Sequence, residues 1–138
     1  VSPRETGPFD LSKSPVHWPS DATAPATRLH AFGFDGPAFE ACIAKHCPAG
    51  APGRLAMIES SPTDWGAWEC HEAGDELVIV LEGEGDLLQE IDGETRSAPF
   101  GPGSAFINPA GVWHTANVRK PMRAIYLTPC PGTKHRSR

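Results

Sequence analysis

The sequence predicts an all-β domain, a sandwich or small barrel built from short antiparallel strands. Three observations carry that expectation. Glycine (14) and proline (15) are abundant and punctuate the 138 residues at short intervals. Candidate strands recur about every 8–12 residues, with turn signals between them. Neither an internal repeat nor a helix–strand alternation runs along the chain, so a parallel α/β sheet is disfavoured.

The elements follow in order. Residues 1–28, "VSPRETGPFDLSKSPVHWPSDATAPATR", are rich in Pro, Ser and Thr and lack an apolar period. They read as an extended or disordered N-terminal arm that Phe9 and Trp18 can tack onto a surface. Residues 29–138 then form a single domain, within the usual size range for one hydrophobic core. Phe39 to His46 suits a short helix or turn before Pro48. Arg54–Ser60 alternates as a strand, and Trp65–His71 is a second. Glu76–Glu82 is the strongest strand, β-branched and apolar on both faces. "EGEG" at 82–85 turns the chain and Asp86–Ile91 brings it back. "DGE" at 92–94 is a hairpin signal, because Asp-Gly favours the tight primed turns. Further strands fall at Ser104–Asn108, Trp113–Val118 and Met122–Thr128, and the basic end Lys134–Arg138 reads as a frayed, solvated terminus.

Composition excludes some partners. Lys and Arg total 12 against 17 acids, a formal net charge of −5, whereas a duplex-binding module is usually basic on one face. Nucleic acid is therefore not an expected partner. No apolar run approaches the 18 or so residues of a membrane helix, and no charged-then-apolar signal segment opens the sequence. The expectation is a cytoplasmic protein without a membrane partner. Cysteines at 42, 47, 70 and 130 match no paired CxxC zinc framework and are too few for a disulfide scaffold. They read as reduced thiols, with Cys70 and Cys130 in packing roles.

The chemistry concentrates in "WECHEAGDEL", residues 68–77. Successive side chains on a strand point to opposite faces. Glu69 and His71 therefore share a face and Cys70 points away. Ala73-Gly74-Asp75 turns the chain, and Glu76 opens the next strand on the same interior as His71. Val78 and Val80 follow it inward, leaving Leu77, Ile79 and Leu81 outside together with Trp113. Exposed apolar patches of that kind mark interfaces, so either a homodimer or the N-terminal arm is expected to cover this face.

Two motifs here resemble the signatures of the cupin superfamily. In the first, four residues separate His71 from Glu76 and six separate Glu76 from Gly83. In the second, "GSAFINPAGVWH" carries Gly103, Pro109, Gly111 and His114 at the family's spacing. The departures are specific. Glu69 stands where the family has the first histidine of His-x-His, Thr63 where it has a leading glycine, and Asn117 lies one residue before the family's closing asparagine. The likeness spans roughly Arg54 to Pro129, and the stretch is similar to a group of small single-domain bacterial cupins.

The resemblance implies a cupin-type double-stranded β-helix, the jelly-roll barrel, with one divalent ion inside. Carried over by position, the metal ligands are His71, Glu76 and His114. Glu69 occupies the fourth ligand position, either as a ligand or as an acid facing substrate or a ligand. Two imidazoles and a carboxylate with open positions suit non-haem Fe(II), and also Mn, Ni, Cu or Zn. A second carboxylate hardens the site and tilts it toward Fe(II), Mn(II) or Zn(II). The implied function is a metal-binding cupin acting on a small molecule in a dioxygenase-like or isomerase-like reaction. The alternative is a non-catalytic cupin that holds a small ligand, with or without metal. Fold alone does not choose between them.

Overall fold

A computed structural model describes residues 5–29, 37, 41, 44, 53–130 and 132–138. Nine strands occur among them: β1 (Val16–Pro19), β2 (Thr27–Arg28), β3 (Gly53–Ser61), β4 (Ala67–His71), β5 (Glu76–Ile91), β6 (Glu94–Phe100), β7 (Ala105–Asn108), β8 (His114–Pro129) and β9 (Thr133–Ser137). Every pairing is antiparallel. Of the segment expected to form a short helix before Pro48, only Ala41 and Ala44 are described, and both are helical and exposed. Cys42 and Cys47 lie outside the described residues, while Cys70 and Cys130 are buried free thiols. No helix among the described residues is long and apolar enough to cross a membrane.

The two 16-residue strands β5 and β8 form the spine. Near its start β5 lies between β7 and β8; near its end it lies between β6 and β8. The late half of β8 pairs with β3, and its first residue pairs with β4. One long strand pair thus serves both halves of the barrel.

This corrects the expected turn at 82–85. The chain does not reverse there; it continues through a run of register shifts between Val80 and Gly85. Bulges bend a strand and raise its twist, and glycine makes the close approach possible. A Cβ on Gly83 would fall 2.4 Å from the Pro121 carbonyl oxygen, and one on Gly85 would fall 2.1 Å from that of Asn117. Correspondingly, the two strands expected at 113–118 and 122–128 are one strand, β8. The reversal comes at Asp92-Gly93, whose φ values of 54° and 78° give the primed hairpin turn that joins β5 to β6.

Alternation sets the core. Glu76, Val78 and Val80 of β5 face inward and are buried, as are Met122, Ala124 and Tyr126 of β8. Leu77 and Ile79 face outward and are half-buried, and Leu81 is 37% exposed. The N-terminal arm is partly ordered into the sheet: β1 pairs with β3 over Val16–Pro19 and with β2. It extends the sheet edge to edge, so these residues do not lie across the outer face. Trp18 is 62% exposed, while Phe9 stacks under the Arg28 guanidinium.

The C-terminus also departs from expectation. Residues 133–137 form β9, paired with β4 along its whole length. Arg136 lies over the rings of Trp68 and Trp113, and Arg138 donates to the carbonyl oxygen of Trp65 at 2.9 Å. These anchors replace the apolar pattern whose absence made the tail read as frayed.

Candidate metal centre

Strand alternation, two loops and one cross-strand register assemble the site. Glu69 and His71 project from the same face of β4, and Glu69 sits directly opposite His114 of β8. Glu76 opens β5 after the bend at 72–74. The loop before His114 is tied to that bend. The Gly111 amide donates to the His71 carbonyl at 2.9 Å, and the Ala110 amide donates to the Asp75 carboxylate at 2.8 Å. The two sequence motifs are therefore hydrogen-bonded to each other, and four side chains meet between them.

The distances suit a common ion. His71 Nε2 lies 3.2 Å from Glu76 Oε2. His114 Nε2 lies 3.6 Å from Glu76 Oε1 and 4.0 Å from Glu69 Oε2. Two ligand atoms each about 2.1 Å from one ion lie roughly 3.0–3.5 Å apart in tetrahedral or octahedral arrangements. Glu69, His71 and His114 each offer a ligand atom within 4.8 Å of the others. Glu76 is nearest to both rings.

The protonation pattern prepares the histidines. His71 is 3% exposed and His114 is fully buried, yet neither Nε2 has a hydrogen-bond partner among the described residues. The 3.2 Å contact of His71 with Glu76 is close but not aligned as a hydrogen bond. A buried polar atom left unsatisfied is costly and calls for a partner. His114 Nδ1 lies 3.1 Å from the Val112 carbonyl oxygen. A carbonyl only accepts, so Nδ1 carries the proton and Nε2 presents a lone pair to the interior. Burial lowers the His114 pKa, against the pull of Glu76, which keeps the ring neutral. His71 Nδ1 is tied to Thr133 Oγ1 at 3.0 Å. Trp65 packs edge-on against the His114 ring, at 6.3 Å between centroids.

The two carboxylates differ. Glu76 is 2% exposed, and burial by itself would raise its pKa. His71, Thr128 and Asn108 together outweigh burial, and the net shift is downward, so Glu76 stays ionised. Asn108, opposite Glu76 in the sheet, donates to Oε1 at 2.9 Å, and Thr128 donates to Oε2 at 2.7 Å. Gln89 orients Asn108 by donating to its Oδ1 at 2.9 Å. Glu69 is more open, with its side chain 31% exposed, and burial followed by repulsion from Glu76 raises its pKa. Its other oxygen faces His135 Nε2 at 3.4 Å.

Sequence reasoning brought Glu69, His71, Glu76 and His114 to one place, and the structure places them together. It missed the supporting groups. Thr128 was reachable, because it continues the inward series 122, 124, 126 on β8. Asn108 shares a face with Phe106 at the end of β7, but nothing in its own sequence context marks it as a partner of Glu76. Thr133 and His135 were lost with the unrecognised strand β9. Cys70, between Glu69 and His71, is buried on the other face of β4, so its sulfur points away from the site.

Comparison with known proteins agrees with this architecture. Among solved structures, DMSP lyase DddQ from Ruegeria pomeroyi DSS-3 matches with a TM-score of 0.50 at 21% identity, over 62% of this chain and 46% of that one. Hydroxypropylphosphonic acid epoxidase from S. wedmorenis in complex with fosfomycin matches with a TM-score of 0.47 at 20% identity, over 54% and 43%. Hydroquinone 1,2-dioxygenase from Sphingomonas sp. TTNP3 with 4-hydroxybenzoate bound matches with a TM-score of 0.48 at 13% identity, over 57% and 60%. The chain thus spans less than two thirds of each of these proteins, and the likeness to the lyase, at 21% identity, is one of fold alone. No curated protein matches it. A family model described as "Cupin domain" matches residues 56–128, more than half of the chain and the stretch that runs from β3 through both histidine-bearing motifs to the end of β8. By that match, and by the barrel that carries it, the chain belongs to the cupin family.

Proposed function

We propose that this cupin holds one divalent metal ion through Glu69, His71, Glu76 and His114 and acts on a small molecule bound beside it. The observation that carries the reading is the pair of buried, unpartnered Nε2 atoms of His71 and His114, facing two carboxylates at ligand-like spacing. Two imidazoles and two carboxylates favour Fe(II), Mn(II) or Zn(II), with Ni(II) also within reach. Bound there, the ion would supply Lewis-acid or redox chemistry at its open positions, as dioxygenase-like and isomerase-like reactions need. The chain's own residues fix the rest. Val112 and Thr133 orient the rings, Asn108 and Thr128 hold Glu76, and the buried core beneath them, with Val78 and Tyr126, excludes water. Glu69, the most open of the four, faces the side from which substrate enters. The outer face of β5, β8 and β3 pairs two such subunits.

Metal analysis of the purified full chain tests the reading. About one equivalent of a first-row metal is expected, with His114→Ala losing most of it and Cys70→Ala retaining it. Equal metal content in the two variants, or none in the wild type at saturating supply, would overturn the assignment. In the second case the barrel is a metal-free binding module.

A further inference from the structure

We propose that the C-terminal strand β9 is a working part of the metal centre, with Thr133 and His135 as its positioning residues. The inference rests on the metal reading above and extends it beyond residues 56–128, the region that matches the family.

Register carries the first step. β9 lies antiparallel to β4, with His71 opposite Thr133 and Glu69 opposite His135. Residues directly opposite one another share a face of the sheet. Thr133 and His135 therefore stand on the side of the proposed ligands, and Lys134 stands on the other. The contacts agree: Thr133 Oγ1 lies 3.0 Å from His71 Nδ1, and His135 Nε2 lies 3.4 Å from Glu69 Oε1. Lys134 instead pairs with exposed Glu72 at 2.7 Å.

The second step is what these contacts do. Glu69 stands between two imidazoles in one cross-strand row, His114 on β8 and His135 on β9. Its Oε2 faces His114 at 4.0 Å while Oε1 faces His135 Nε2 at 3.4 Å. One oxygen is thereby left for the interior, and rotation of the carboxylate is restricted. Without His135 a partly exposed glutamate is free to turn away or to present both oxygens. Thr133 performs the matching task for His71, tying the rear nitrogen so that Nε2 points inward. Groups behind a metal ligand typically contribute about 10–100-fold in affinity. The strand is fixed where it must be: Arg136 is sandwiched against Trp68 and Trp113, at 5.2 and 4.7 Å from the ring centres. Its guanidinium also pairs with Glu90, while Arg138 is bonded to the Trp65 carbonyl and to Asn117.

Co(II) is the probe, because its visible absorption reports ligand arrangement as well as occupancy. The full chain is titrated with Co(II) against a chelator, and its spectrum and its metal-free melting temperature are recorded. Thr133→Val and His135→Leu are each expected to bind Co(II) about ten-fold or more weakly and to change the spectrum, at near wild-type metal-free melting temperature. Thr133→Ser and His135→Gln, which keep a polar group in reach, should recover most of the loss, and Lys134→Gln should match the wild type. Should the first pair lower the metal-free melting temperature, Thr133→Ala and His135→Ala make the same comparison. If either disruptive variant matches the wild type in both affinity and spectrum, the proposal fails while the metal reading stands. If the wild type itself binds no Co(II), the metal reading falls and the role of β9 falls with it.

Discussion

Glu69 and Glu76 are two carboxylates of the same pocket pushed in opposite directions. Glu76 is fully enclosed but surrounded by His71, Thr128 and Asn108, and its pKa is lowered despite burial. Glu69 is partly open, yet burial and the negative Glu76 raise its pKa. The signs decide how the metal-free protein responds to acid. Glu76 and His114 both have folded pKa values below their ordinary ones. Their contributions are complete above those ordinary values, about 6.5 for His and 4.3 for Glu, and fade as pH falls below each. Glu69 has the opposite sign: its charge opposes folding at neutral pH and the cost is relieved as it protonates. Glu69→Gln is therefore expected to raise the melting temperature of the metal-free protein at pH 7 while weakening metal retention. Thermal unfolding with and without chelator checks both halves. A metal-free melting temperature that is unchanged or lower would show that Glu69 carries no such cost. A carboxylate that destabilises the empty fold is the kind of stability cost a functional site often carries.

At the scale of elements, the bend in β5 decides whether the two motifs meet. Gly83 and Gly85 let β5 and β8 approach where their register shifts. A methyl group on Gly85 would stand 2.1 Å from a backbone oxygen and 2.6 Å from the Phe100 ring, with β-sheet on both sides. Gly85→Ala is expected to destabilise the protein by about 1–3 kcal/mol or more through overpacking. Gly66→Ala, where nothing lies within 4 Å of the added carbon, should change stability by no more than about 0.5 kcal/mol. Chemical denaturation of both variants makes the comparison; equal midpoints would mean the bend has room to relax. The same glycines show what the sequence could and could not say. Alternation around Glu76–Glu82 and the Asp92-Gly93 turn were legible because each is a local signal. The bend at 82–85 carries the same Gly-rich composition as a tight turn, and only the long-range pairing of β5 with β8 tells them apart. The site was legible through spacing, since the four residues between His71 and Glu76 span the short bend that joins β4 to β5. β9 was not, because its stability comes from cation–π contacts and pairing with β4 rather than from apolar alternation.

Across the whole molecule, the inner face carries the candidate metal centre and the outer face, among the described residues, carries an apolar stripe. Ile58, Ile125 and Ile79 lie side by side on β3, β8 and β5. A second row runs through Ala56, Leu127, Leu77 and Ile107. Ile107 is 57% exposed and Leu81 37% exposed, and β1 continues the sheet instead of covering it. A large exposed apolar patch on a protein surface marks an association surface. An apolar sheet face suits an isologous two-fold contact, in which the same rows meet on both copies. Ile79 sits in the middle of these rows, pairing with Ile125 on one side and Ala105 on the other. Ile79→Asp places a charge at the centre of such a contact, where leaving it unpaired is costly. The wild type is expected to scatter light with twice the mass of the chain and the variant with the mass of one chain. Metal content should stay equal in both, because Ile79 faces away from Glu76 and His114. A wild type that is already monomeric, or a variant that keeps the wild-type mass, would refute the dimer across this face.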